Sequence, residues 1–186
     1  ATALLLGFSS LITQIVLLRE FLNLFSGNEL VIGLILSSWL LTSGLGCLLG
    51  KAASLRRPLT TLITGQVLLA LFPTLEVLGI RLIKPVLSAG IMPGLPEVLL
   101  FSVLALLPYC LTAGFLLSRL ARTPGTQAAS VYAFDTAGGV AAGLCFGLVL
   151  AGVAGSFQIT AALCALNLAG LARLLFQLKR SLIQSL

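Results

Sequence analysis

Few residues of this 186-residue chain could perform acid–base or metal chemistry. It has five acidic and eleven basic residues and no histidine. We therefore exclude histidine-ligated haem, histidine metal sites and histidine acid–base catalysis. The four cysteines lie in apolar runs without C-x-x-C spacing, which favours small buried hydrophobes over disulfides or metal ligands. Any proton or cation chemistry must rest on the carboxylates, so we predict no metal site and no cofactor.

Weakly polar residues recur at spacings of three and four near the start of the chain. The set comprises Ser9, Thr13, Val16, Glu20, Asn23 and Gly27, with Gln14 and Arg19 beside it. This spacing places them on one face of a helix. The face is either a packing seam, with Arg19 or Glu20 paired to a neighbouring helix, or one wall of a substrate or ion path. Arg81 and Lys84 are the candidate partners of Glu20.

Asp135 lies about two turns into a predicted helix, close to Tyr132. An acid at that depth should be hydrogen-bonded, paired with a cation or protonated. Arg119 and Arg122 end the preceding helix on the same side and could form a structural clamp with it. The alternative for Asp135 is proton coupling or cation binding.

Glu76 follows Pro73 in the third apolar run. We favour the interpretation that Glu76 is solvated, on a segment that lies on the membrane surface.

The composition indicates an integral membrane protein. Hydrophobic residues make up 59% of the chain, charged residues 9%, and the mean hydropathy is +1.15. Soluble domains are about a quarter charged, and a chain of this size could not bury so much apolar surface in water. These values exclude a soluble globular domain, a disordered chain and a nucleic-acid binder.

Apolar runs long enough to cross a bilayer recur along the whole chain. We predict an all-α, polytopic membrane bundle of about six transmembrane helices in a single domain, 1–186. The helices are expected at about 1–25, 28–50, 59–84, 96–122, 128–152 and 156–180. The third run is either one kinked span or a span followed by a surface helix.

Glycines at period four indicate close helix packing. Gly139, Gly143 and Gly147 form such a ladder in the fifth helix, and Gly46 and Gly50 form a shorter one in the second. Small residues at this spacing allow two helices to approach closely in a membrane.

The basic residues are distributed unevenly between the predicted loops. Placing the 51–58 loop in the cytoplasm puts eight of the eleven on that side: Lys51, Arg56, Arg57, Arg119, Arg122, Arg173, Lys179 and Arg180. Because cytoplasmic loops are enriched in Lys and Arg, we predict that both termini face the cytoplasm.

Several stretches are similar to the membrane domain of a known bacterial family. The run 7–20, GFSSLITQIVLLRE, with 26–29, SGNE, and 44–50, GLGCLLG, resembles proteins of the fused major-facilitator-like/spermidine synthase family. The run 131–139, VYAFDTAGG, resembles that family's Tyr-Ala-x-Asn/Asp-Thr-x-Gly pattern. The loop 50–59 resembles the basic loop between helices two and three of major-facilitator transporters, but Ala53 and Ser54 stand where their acidic residue is expected.

The resemblance implies one half of a major-facilitator fold in a bacterial inner membrane. It carries over no catalytic residue, because the family's aminopropyltransferase domain, with its nucleotide loop, does not appear in these residues. We therefore expect a non-catalytic module that anchors or docks partner proteins, such as subunits of a larger membrane complex, or forms a homo-oligomer. The alternatives are a dimeric transporter for small molecules, cations or polyamines, and the membrane part of an aminopropyltransferase whose catalytic domain lies outside this sequence.

Overall fold

The computed structural model describes residues 2–25, 29–53, 58–87, 94–123 and 125–184. These ranges contain no strand and six helices long and apolar enough to cross a membrane. The helices are α1 (Thr2–Phe25), α2 (Glu29–Ala52), α3 (Pro58–Leu87), α4 (Leu95–Ala121), α5 (Ala128–Val153) and α6 (Ser156–Gln184). The prediction of an all-α bundle of six membrane helices is confirmed.

The observed helix ends agree with the predicted ends to within about one turn. The third apolar run is one continuous helix that contains both Pro73 and Pro85, rather than a span followed by a separate surface helix. Gly27 of the polar stripe, residues 54–57 of the basic loop and residues 88–93 between the third and fourth helices lie outside the described residues. The side chains of Lys179 and Arg180 are also outside them.

α1 is the central helix and contacts each of the other five. α5 packs chiefly on α1, α2 on α4, and α3 on α6. The apolar core between them includes Phe21 of α1, Leu69 of α3 and Tyr109 of α4, each almost completely buried. The two ends of the bundle differ in charge. We call the end where α1 begins the basic end, because Lys51, Arg119, Arg122 and Arg173 lie there.

The first three helices and the last three share part of their packing pattern. If α1 is exchanged with α4, α2 with α5 and α3 with α6, the α1–α5 pair becomes the α4–α2 pair. The α3–α6 pair maps onto itself, and the α3–α4 contact becomes the α6–α1 contact. The α1–α3 contact has no counterpart of similar extent between α4 and α6, so the two halves are similar only in part.

Glycines set the closest helix approaches. A Cβ added at Gly46 would overlap the carbonyl oxygen of Leu111, and one at Gly114 would overlap that of Ser43. These overlaps show that the backbones of α2 and α4 touch, which is how small residues act at membrane helix interfaces. Gly50 continues the same contact against Phe115.

The α1–α5 approach uses glycines other than those of the predicted ladder. Gly7 lies against the Asp135 carbonyl, and Gly138 lies against the Leu4 carbonyl. A Cβ at Gly139 or Gly143 would make only ordinary contacts, and one at Gly147 would meet no atom within 4 Å. The predicted glycine ladder therefore lies at the edge of the α1–α5 interface. The face of α5 that contacts α1 is centred on Gly138, one residue before the first glycine of the ladder.

Two arginines tie α4 to the end of α2. Arg119 donates to the Ala53 carbonyl at 2.9 Å, and Arg122 donates to the Lys51 carbonyl. The last carbonyls of a helix lack partners inside the helix and carry partial negative charge, so cations stabilise that end. Arg119 and Arg122 therefore bind the α2 terminus rather than clamping Asp135.

We expect Gly46→Ala to destabilise the bundle, because the added methyl group would force α2 away from α4. Overpacking of this kind costs about 1–3 kcal/mol. Gly44→Ala is the matched control, since a Cβ at Gly44 on the same helix meets nothing within 4 Å. Thermal unfolding midpoints in mild detergent measure both variants. Equal midpoints for the two would contradict the close backbone contact.

Candidate functional site

The polar face of α1 is buried inside the bundle. Ser9, Thr13 and Glu20 are each no more than 6% exposed, and each meets a different helix. Asn23 is exposed and does not belong to this buried set. Polar groups at membrane depth are costly in lipid, so this burial places them where other protein groups can bind them. Together with their partners they form a polar column along α1.

An amide and hydroxyl network forms the part of the column nearest the basic end. Asn167 of α6 accepts from the Gln66 side-chain amide at 2.9 Å and donates to the Ser9 hydroxyl at 2.9 Å. Its amide also donates to the Leu163 carbonyl at 2.9 Å within its own helix. The network joins α1, α3 and α6 through one asparagine. An interhelical hydrogen bond of this kind is worth about 0.6 kcal/mol on average in a membrane protein.

Glu76 occupies the middle of the column. Its Oε1 accepts from the Tyr109 backbone N–H at 3.0 Å. Pro108 precedes Tyr109 inside α4, and proline disturbs the hydrogen-bond ladder of a helix, which makes a neighbouring N–H available. Glu76 is 8% exposed, so burial against α4 replaces the predicted solvated position. The continuous path of α3 through Pro73 causes this difference.

An ion pair forms the part of the column farthest from the basic end. Arg81 binds Glu20 in a bidentate manner, with nitrogen–oxygen distances of 2.7 and 3.0 Å. Ser156 and Arg19 also face the Glu20 carboxylate. The Arg81 guanidinium lies 4.5 Å from the centroid of the Phe157 ring, in cation–π geometry. The structure thus selects Arg81 as the partner of Glu20.

Arg19 lies beside the column, between α1 and α5. Its guanidinium is 5.9 Å from the centroid of the Phe146 ring, and its Nη1 is buried without a hydrogen-bond partner. Phe146 opens a π-helical turn, Phe146–Leu150, inside α5. Such turns are rare and occur often at functional sites.

Asp135 lies apart from the column, in an open groove between α1 and α5. The groove has a volume of about 430 Å³. Its lining comprises Gly7, Ser10, Leu11, Gln14, Asp135, Thr136, Gly139, Val140 and Gly143. Asp135 is half-buried, and no side chain among the described residues donates a hydrogen bond to its carboxylate. We call this surface the α1/α5 groove.

The structure therefore separates the predicted polar residues into two places. Glu20 and Glu76 lie in the closed column, whereas Gln14 and Asp135 line the open groove. Tyr132 is 51% exposed and lines neither. Among the described residues, no group of three or more His, Cys, Asp or Glu side chains is placed to hold a metal ion.

Sequence reasoning missed Asn167, Gln66 and Tyr109, although all three are deeply buried in the column. For Gln66 and Asn167 the available signal was a side-chain amide in the middle of an apolar run, which is costly in lipid and so needs a partner. Tyr109 gave no comparable signal. Comparisons with protein-family models, curated proteins and solved structures found no match for this chain. The family resemblance therefore stays a prediction from its motifs.

We expect Arg81→Gln to destabilise the protein more than Glu20→Gln. The Glu20 side chain is 7% exposed and Arg81 is 44% exposed, so removing the arginine leaves a buried charge, whereas removing the acid leaves a partly solvated one. An uncompensated buried charge costs up to about 3–5 kcal/mol. Detergent unfolding of both single variants and the double variant would measure the asymmetry. The reverse order of stabilities would contradict this account of the pair.

Proposed function

We propose that this chain is a non-catalytic membrane module that docks another membrane protein through the α1/α5 groove. The observation that supports the proposal is Asp135, a carboxylate at membrane depth that receives no hydrogen bond from the described residues and is open to the outside of the bundle. In contrast, Glu20 is enclosed and paired with Arg81.

The bilayer makes this surface unfavourable unless it is covered. An acid costs up to about 2.5–3.5 kcal/mol at the centre of a transmembrane helix on insertion scales, and Asp135 lies about two turns inside α5. Gln14 and Thr136 add further polar groups to the same groove. A partner helix could bind them with its own polar side chains, which lipid tails cannot do.

The shape of the groove also suits a helix. Gly139 and Gly143 have no side chains to fill it, and small residues let two helices approach closely in a membrane. α5 is the least buried of the six spans. In its most apolar 18-residue stretch, 17% is buried inside the bundle, compared with 44% for α1. The proposed occupants are a subunit of a larger membrane complex or a second copy of the chain.

We further propose a bacterial inner membrane as the location, with the basic end in the cytoplasm. Lys51, Arg119, Arg122 and Arg173 lie at that end, which follows the enrichment of basic residues on the cytoplasmic side. Both termini would then face the cytoplasm, where a soluble partner domain could also be anchored.

A photo-cross-linking residue at Val140 should form an adduct with another polypeptide in native membranes. Val140 lines the groove and is 60% exposed. Leu100 on α4 is the matched control, because it is 62% exposed and lies outside the groove. The readout is a mass increase on denaturing gels that is present for position 140 and absent for position 100.

Gly139→Leu should remove the adduct, because the leucine side chain would fill the groove. The substitution should not disturb the α1–α5 contact, since its Cβ would lie 4.0 Å from the nearest atom, the Gly7 carbonyl oxygen. Gly33→Leu, at an exposed α2 position with no atom within 4 Å, should leave the adduct unchanged. Docking would be contradicted if the residue at position 140 formed adducts with lipid but with no polypeptide, and if the protein were a monomer in mild detergent.

A transporter formed by two copies is the second candidate. Two grooves facing each other would enclose two Asp135 carboxylates with the neutral polar groups of Ser10, Gln14 and Thr136, a lining that suits a cation or polyamine. The partly similar packing of the two chain halves supports this candidate, since transporter folds are often built from structural repeats.

Asp135→Asn should then abolish cation or polyamine uptake into proteoliposomes, because the substituted side chain no longer carries the charge that binds the substrate. Glu29→Gln, at an exposed helix start, is the control. Unchanged flux in the Asp135→Asn protein would exclude the transporter.

A further inference from the structure

Glu76 differs from the other buried acid in what surrounds its carboxyl group. Glu20 is bound by Arg81 and also faces Arg19 and Ser156. Glu76 receives one hydrogen bond, from the Tyr109 backbone N–H to Oε1. Its Oε2 is buried and has no hydrogen-bond partner. The two acids are therefore equally enclosed but very differently compensated.

Among the described side chains, no cation pairs with Glu76 from the helices packed against it. On its own helix, Arg81 is bound to Glu20, and Lys84 is exposed about 12 Å farther along the axis. Arg19 of α1 faces α5, with its guanidinium 5.9 Å from the Phe146 ring centroid. The remaining charges of α4 and α6 lie near the bundle ends: Glu97, Arg119, Arg122 and Arg173. Tyr109 and Cys110, the titratable neighbours on α4, carry no positive charge in any protonation state.

A carboxylate in this environment would be a buried charge with a single neutral donor. Desolvation of an isolated carboxylate is so costly that such groups take up a proton rather than remain ionised. The protonated group keeps Oε1 as the acceptor for Tyr109 N–H, so the observed hydrogen bond is compatible with it.

Hydroxyl groups of α1 and α4 do not compensate the Glu76 carboxyl group. The Tyr109 hydroxyl, the Thr13 hydroxyl and the Ser102 hydroxyl are all buried without hydrogen-bond partners. Thr13 and Ser10 face the Tyr109 ring hydroxyl. Among the described residues, none of these hydroxyls donates to Glu76 Oε2, so none stabilises an ionised carboxylate there.

We propose that Glu76 is a proton-binding site in the middle of the bundle, which holds a proton on Oε2 at neutral pH. The proton comes from a hydronium ion of the surrounding water. One O–H bond of the hydronium breaks as one O–H bond forms on the carboxyl group, with no other covalent change. The site is separate from the α1/α5 groove and does not depend on the docking proposal.

Carbon-13 labelling of the glutamate carboxyl groups tests this in the wild-type protein. The chain has only four glutamates, Glu20, Glu29, Glu76 and Glu97. Magnetic resonance of the folded protein in mild detergent at neutral pH should show one carboxyl signal at the position of a protonated acid and three at the position of carboxylates. Because the native protein is measured, the result does not depend on whether a variant folds.

Assignment uses Glu76→Gln, whose side-chain oxygen can still accept from Tyr109 N–H. This substitution should remove the protonated signal, whereas Glu97→Gln, at the exposed start of α4, should remove a carboxylate signal. Four carboxylate signals at neutral pH would overturn the proposal. Loss of the protonated signal on Glu20→Gln instead of Glu76→Gln would also overturn it.

Discussion

Ser9, Thr13 and Glu20 lie along one face of α1, and their burial constrains the positions of three other helices. Ser9 requires Asn167 of α6, Thr13 faces Tyr109 of α4, and Glu20 requires Arg81 of α3. In hydrocarbon no water can replace Asn167 or Arg81, so a shift of α6 or α3 would leave the Ser9 or Glu20 side chain unbound. α1 is central because its polar groups can be compensated only from several sides at once.

The glycine contacts make this arrangement possible. Gly7 and Gly138 bring α5 against α1, and Gly46 and Gly114 bring α2 against α4. Lipid tails are as apolar as leucine, so close packing rather than hydrophobic exclusion holds such pairs together. With α5 on one side of α1, the polar face is left for α3, α4 and α6, and the column closes between them.

The number, type and approximate bounds of the helices could be predicted, because each apolar run has a length fixed by the bilayer. The pairing of Glu20 with Arg81 was also among the predicted options, since both lie far from the basic end. The depth of Glu76 could not be predicted, because a helix containing Pro73 can either continue or end there. The role of Gly138 was missed for a different reason: the period-four ladder begins one residue later, and periodicity alone does not say which row faces the neighbour.

The contrast between column and groove indicates where function is to be sought. In the column, Glu20 binds Arg81, and Gln66 binds Asn167, so these groups are accounted for by the fold itself. Asp135 has the same cost in lipid, but no described residue offsets it. The folding of this chain alone gives no reason to keep an acid there, whereas a neighbouring protein or a bound cation would. The proposed interaction with a group outside the chain would explain the polarity of the groove.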